Sequence, residues 1–204
     1  IGFAVMPAKH FSGDLVLVAR SNQNRTYAML ADATGHGLAA AVSVLPVLSL
    51  FYRLATHNVP LAHMIRELND QLRTALPVGR FVGAGLVCLE EDGRGGEVWV
   101  GGVPEVLLMA EDGSVAERFV SQQVPLGIIP SSPLASQPVI FEAKPGQQIV
   151  LYSDGLTEAT NAAGEMFGEE RLLSVLGRTG PAGRLEGAKM ALAQHLAGVP
   201  NQDD

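Results

Sequence analysis

An α+β fold, with two packed antiparallel sheets covered by helices, is what this sequence predicts, on three observations. Short runs of β-branched and aromatic residues fall into two groups, separated by turn-forming stretches such as SNQN, EDGRGG, EDGS and KPG. Two helical stretches lie between the groups, and two more follow the second. With 204 residues the chain is long enough for one large domain with a full core and too short for two, so a single domain over 1–204 is expected.

The elements follow in order. Segments GFAVMPA (2–8), DLVLVAR (14–20) and TYAMLAD (26–32) read as strands, the last two joined by SNQN. The stretch 36–57 is apolar almost all round and predicts a deeply packed helix. Pro46 inside it has no N–H to donate, which predicts a kink or a weak point. A second helix, 60–76, starts at Pro60, a residue suited to a first turn. Its Leu61, Met64, Ile65, Leu68 and Leu72 recur at helical spacing and predict the buried face, with Arg66, Glu67, Asp70 and Arg73 on the other. That second face, and any shift of the first helix, would be where a preceding domain docks. Further strands are expected at 81–89, 97–101, 105–110, 115–120, 139–143 and 148–153, and helices at about 168–177 and 184–197.

Composition narrows the function. The net charge of −7 and the lack of any basic run argue against a nucleic-acid partner, which needs clustered Lys and Arg. Charged residues are 17%, below the roughly 25% of soluble domains, which points to extensive burial or to apolar surface kept for a partner. The one cysteine, Cys88, lies in the apolar run GLVCL without a disulfide partner in the chain, which fits a reducing, cytoplasmic compartment. The most apolar stretch, Leu38 to Tyr52, is shorter than the ~20 residues of a membrane span, is broken by Pro46, and is internal. Neither a membrane anchor nor a signal peptide is expected there. The chain opens at Ile1 and closes on Asp204 without an evident cap, as a domain excised from a longer protein would.

Four acidic positions sit where elements end: Asp14 in FSGDL, Asp32 in LADATGHG, Asp154 in LYSDGLTEA, and Asp203 in NQDD. Each has a bland reading alone. Asp154-Gly155 is a turn signal, Asp14 a solvated strand end, Asp203 part of a polar tail, and Asp32 a helix N-cap, although Thr34 is better spaced for that. Gathered on one rim of a sandwich, the same carboxylates would repel unless cations filled the space. All-oxygen ligands favour Mg²⁺ or Mn²⁺ over zinc, and two such ions can activate water against a phosphoryl group. Other schemes lack their parts. There is no Gly-x-Ser-x-Gly elbow, Cys88 sits within a strand, and His10, His36, His57, His63 and His195 lack zinc-ligand spacing. Gly83-Ala84-Gly85 is followed by no third glycine, so it is no dinucleotide loop.

The ordered set PAKHFSGDL, LADATGHGLAAAV, PLGI, PGQQIVLYSDGLTEATNAAGEMFGEERL and the terminal DD resembles the metal-dependent (PPM, protein phosphatase 2C-type) Ser/Thr protein phosphatases, and most their bacterial SpoIIE/RsbU-like subgroup. The likeness spans nearly the whole chain. It implies a central antiparallel β-sandwich flanked by helices on both sides, a four-layer αββα arrangement, with two Mn²⁺ or Mg²⁺ ions at one edge. It implies Asp32 as the carboxylate bridging both ions, with the Ala33 carbonyl beside it. Asp14 would hold the second ion, and Asp154 and Asp203 would complete the first ion's shell. His36 is a candidate for donating a proton to the leaving serine oxygen, its alternative being to orient the loop at the helix start.

The chain departs from the subgroup at several points. Ser12 stands for a glycine, Leu15-Val16-Leu17 lacks the usual aromatic and acidic residues, Val103 stands where histidine is common, and the chain stops at the terminal aspartates. The resemblance further implies an output domain joined to an N-terminal receiver or sensor domain, acting on a phosphorylated anti-sigma-factor antagonist. A non-catalytic adaptor of the same fold and a small-molecule phosphohydrolase are the competing readings.

Overall fold

The computed structural model describes residues 1–6, 13–35 and 38–199. The chain runs β1 (Asp14–Arg20), β2 (Thr26–Ala33), α1 (Leu38–Thr56), α2 (Leu61–Ala75), β3 (Val82–Leu89), β4 (Gly95–Gly101), β5 (Val106–Met109), β6 (Val115–Phe119), β7 (Val139–Glu142), β8 (Gln148–Val150), α3 (Asp154–Thr157), α4 (Glu169–Arg178) and α5 (Arg184–Leu196). A five-stranded sheet in the order β1-β2-β3-β4-β7 faces a three-stranded one in the order β6-β5-β8, all pairs antiparallel.

Strand alternation sorts the apolar side chains into three cores. On the outer face of the five-stranded sheet, Leu17, Met29, Ala31, Leu86, Cys88 and Trp99 pack with α1 and α2. Its inner face, with Val87, Val98 and Val100, meets Val106, Leu108 and Phe119 of the other sheet. The outer face of that second sheet, with Leu107 and Met109, packs under Leu172, Leu176, Leu192 and Leu196 of α4 and α5. The four-layer order helix, sheet, sheet, helix is therefore as expected. All five residues forecast for the buried face of α2 are buried there.

Several expectations are corrected. Residues 1–6 form no strand, and the Gly2 backbone lies against Leu185 of α5, where an added Cβ would come 3.0 Å from its Cδ2. A short apolar alternation suits any extended segment, and among the described residues no neighbouring strand pairs with it. The ladder of β8 stops at Val150, opposite Leu107 of β5, so the strand expected over 148–153 is only three residues long. Asp154 accordingly opens the one-turn α3 instead of ending a strand. Helix α1 runs from Leu38 to Thr56 with Pro46 inside it, and it is not buried all round. Val44, Val47 and Phe51 face the core, whereas Leu38 (58% exposed), Val42, Leu45 (59%), Leu48 and Tyr52 form an exposed apolar stripe. Arg66 lies on the other face of α2, where its Nη1 donates to Ser136 Oγ at 3.4 Å.

One buried polar side chain on α2 organises a long loop. Asn69 donates through Nδ2 to the Ile129 carbonyl (3.0 Å) and to Ser131 Oγ (2.9 Å), and its Oδ1 accepts from the Gly127 N–H (2.8 Å). Replacing Asn69 by leucine keeps the branched shape and leaves those partners without it. We expect Asn69→Leu to cost about 2–3 kcal/mol, since lost hydrogen bonds to half-buried groups carry their desolvation penalty. Urea unfolding should show a lower midpoint at an unchanged slope.

Candidate active site

The rim of the sandwich where β1 begins and β2 ends collects the acidic residues. In the register of the pair, Asp14 lies directly opposite Asp32, so their side chains leave the same face of the sheet, the one turned toward the second sheet. Like charges in that position repel. Asp32 is in turn opposite Gly83 of β3, and a Cβ there would stand 2.5 Å from the Gly102 carbonyl oxygen, so only glycine lets β3 and the 101–102 corner meet beside Asp32. Gly13 has a parallel reason. A Cβ on it would fall 3.1 Å from both the Ala33 and the Gly35 carbonyl oxygens. The backbone oxygen of Ala33 thus lies beside Gly13, at the start of β1.

Asp154 follows β8, a strand that runs toward the same rim. Added Cβ atoms locate the sheets against each other: one on Gly83 meets Val103, and one on Gly85 meets both Val106 and Leu151. Strand β5 therefore leaves the Asp32 rim as it advances, and antiparallel β8 runs toward it, carrying Leu151 and then Asp154 in that direction. Asp154 O accepts the Glu158 N–H at 2.8 Å, closing the turn of α3. Among the described residues, no group of three or more His, Cys, Asp or Glu is gathered closely enough to hold a metal ion. Asp203 and His36 lie outside the described residues. The structure thus brings together Asp14, Asp32 and the Ala33 carbonyl and aims the chain bearing Asp154 at them. These are hard oxygen donors of the kind Mg²⁺ and Mn²⁺ take, and the opposed carboxylates are a pair that a cation would relieve.

The loop after Asp32 is held from outside. Thr34 bonds across to Phe81, just before β3. Its N–H donates to the Phe81 carbonyl (3.1 Å), its Oγ1 donates to the same oxygen (3.2 Å), and the Phe81 N–H donates to Oγ1 (3.2 Å). The PLGI motif acts next to this. Leu126 exchanges two backbone hydrogen bonds with Val82 (2.8 and 3.0 Å), and Val82 is the partner of Ala33. Asn69 of α2 holds Gly127 of the same motif. Neither Thr34 nor Asn69 had any signal in the sequence beyond a polar type at its position.

The other nucleophile and histidine candidates are accounted for. Cys88 is buried, and burial foremost pushes its thiol up to about 11, so it is no thiolate near neutral pH. The ring of His57 contacts the Arg53 carbonyl through Nδ1 (2.7 Å), and His63 Nε2 meets Glu67 Oε1 (3.2 Å), so both serve the surfaces of their own helices. No helix among the described residues is long and apolar enough to cross a membrane.

Comparison with known proteins agrees with this architecture. Residues 22–204 match the family of Stage II sporulation protein E (SpoIIE). The SiaA-PP2C domain of Pseudomonas aeruginosa superposes with a TM-score of 0.80 at 19% identity, over 98% of this chain and 79% of that one. The RsbU and RsbW domains of a Mycobacterium tuberculosis protein match at 0.72 and 17% identity, over 96% of this chain; the chain spans only 54% of that structure. RsbX, solved in complex with magnesium, matches at 0.68 and 16% identity, over 96% of this chain and 85% of that one. No curated protein sequence matches the chain.

Proposed function

Because the chain belongs to the SpoIIE family of PP2C-type serine phosphatases, we propose that it is a metal-dependent phosphatase domain that removes phosphate from serine or threonine of a regulatory protein. The observation that carries this reading is the facing pair Asp14 and Asp32 at the end of two adjacent strands. An adaptor of the same fold gains nothing from placing two like charges side by side, whereas a two-metal hydrolase needs them.

In this reading Asp32 and the Ala33 carbonyl, together with Asp14, Asp154 and Asp203, would hold two Mn²⁺ or Mg²⁺ ions, Asp32 as the ligand common to both, Asp14 for one ion, and Asp154 and Asp203 for the other. Such ions, when bound, supply a polarised water and neutralise charge on the phosphoryl group. The chain's own residues do the rest. Gly13 and Gly83 allow the strands to close on the pair, and the Thr34–Phe81 bonds hold the loop that follows Asp32. His36 is assigned the proton for the departing serine oxygen. The substrate we assign is a phosphorylated anti-sigma-factor antagonist, and the input an N-terminal receiver or sensor domain. The exposed Leu38–Val42–Leu45 stripe of α1 supports such an input better than α2, whose apolar face is already covered.

Release of phosphate from a phosphoserine protein and from an aryl phosphate, each with and without Mn²⁺, tests the proposal. Metal-dependent release from the protein, at a kcat/KM well above that for the aryl ester, is the expected result. No release from either would leave the adaptor, and preference for the small ester would mark a small-molecule phosphohydrolase.

A further inference from the structure

Between α2 and β3 the chain makes a tight turn, Pro77-Val78-Gly79-Arg80, closed by the Arg80 N–H on the Pro77 carbonyl (3.1 Å), with Gly79 in the left-handed region at φ 85°. The next residue, Phe81, is the one locked to Thr34 by the bonds described above, so the base of Arg80 is fixed against the loop that follows Asp32. The side chain then folds back over that loop. Its Nη1 donates to the Thr34 carbonyl and lies over Gly35, where an added Cβ would meet Nη1 at 2.6 Å. Gly35 itself has φ 88°, so a glycine is required there twice over, by conformation and by the arginine above it.

This guanidinium differs from that of Arg118 on β6. Arg118 is bracketed by carboxylates, its Nη1 donating to Glu105 and to Glu169 (2.7 Å). Arg80 is exposed and, among the described residues, makes no ion pair; its one partner is a backbone carbonyl taken by Nη1. The Nε–Nη2 edge therefore remains for a second ligand, and the carbonyl that Nη1 takes lies two residues past Asp32, one of a carboxylate pair that would repel a phosphate dianion. That edge matches two phosphate oxygens in plane.

We infer that Arg80 binds the phosphoryl group of the substrate, gripping the oxygens that are not displaced; this rests on the phosphatase reading of the same rim. The alternative is that Arg80 only staples the Thr34 loop. The two roles separate by experiment. With the Mn²⁺-loaded domain, Arg80→Ala should raise KM for a phosphoserine peptide and the Ki for inorganic phosphate together, each by about ten- to a hundredfold, the range for lost hydrogen bonds to a charged group. Mn²⁺ affinity, measured by calorimetry, should stay the same. Arg80→Lys, which keeps the charge but not the planar fork, should recover part of the phosphate affinity. Equal phosphate affinity in wild type and Arg80→Ala would overturn the inference, as would a loss of Mn²⁺ affinity that matches the loss in KM. Direct calorimetric titration of inorganic phosphate decides Arg80 even should the wild type hydrolyse no substrate, a result that would remove the phosphatase reading instead.

Discussion

Asp32→Asn is expected to lower phosphatase turnover by at least about a thousandfold, equivalent to roughly 4 kcal/mol of transition-state stabilisation, while the domain stays folded. Asp32 sits at the last step of the β1–β2 ladder, opposite Asp14 and beside the Ala33 carbonyl. Taking away one of two facing charges leaves the ladder intact and, without metal, relieves a repulsion of about 0.2–1 kcal/mol. The metal-free variant should therefore melt at the wild-type temperature or slightly above it. With Mn²⁺ the order should reverse, because the wild type gains the binding energy of the ions and the variant does not. Scanning calorimetry of both proteins with and without Mn²⁺ reads the two halves separately. Full metal-dependent stabilisation in the variant would show that Asp32 is not a ligand.

Chelation is expected to abolish turnover in the wild type, with Mn²⁺ or Mg²⁺ restoring it and Ca²⁺ failing to do so. The donors at the rim are carboxylate and carbonyl oxygens, which suit all three ions. Discrimination has to come from geometry. The larger ion takes more ligands at longer distances in a looser shell, and so orients an attacking water poorly. Phosphate release after EDTA treatment, then with each ion in turn, gives the answer directly. Equal rates in Ca²⁺, or turnover that survives EDTA, would exclude a two-metal centre.

The positions of most elements were legible because they rest on short-range pattern. The period-2 run DLVLVAR is β1 to the residue, and the 3.6-period line from Leu61 to Leu72 is the buried face of α2. The ordered motifs carried the family, and through it the four layers and the acidic candidates. Helix α1 was misjudged for a physical reason. Apolar composition alone does not say which side of a helix meets another layer, and only α1's Val44–Val47–Phe51 side has a sheet beneath it. The segment 2–6 was misjudged for a similar one, since a strand exists only where a neighbour offers its N–H and C=O groups.

Local sequence therefore determined where this chain turns, which residues are strand and helix, and which carboxylates stand at element ends. Meeting of the parts was settled by packing. Asp14 faces Asp32 through ladder register, Asn69 reaches residues about sixty positions away, and Arg80 covers a loop 46 residues before it in sequence. Such contacts depend on how two sheets and their helices close over a shared core, and no window of neighbouring residues contains that information.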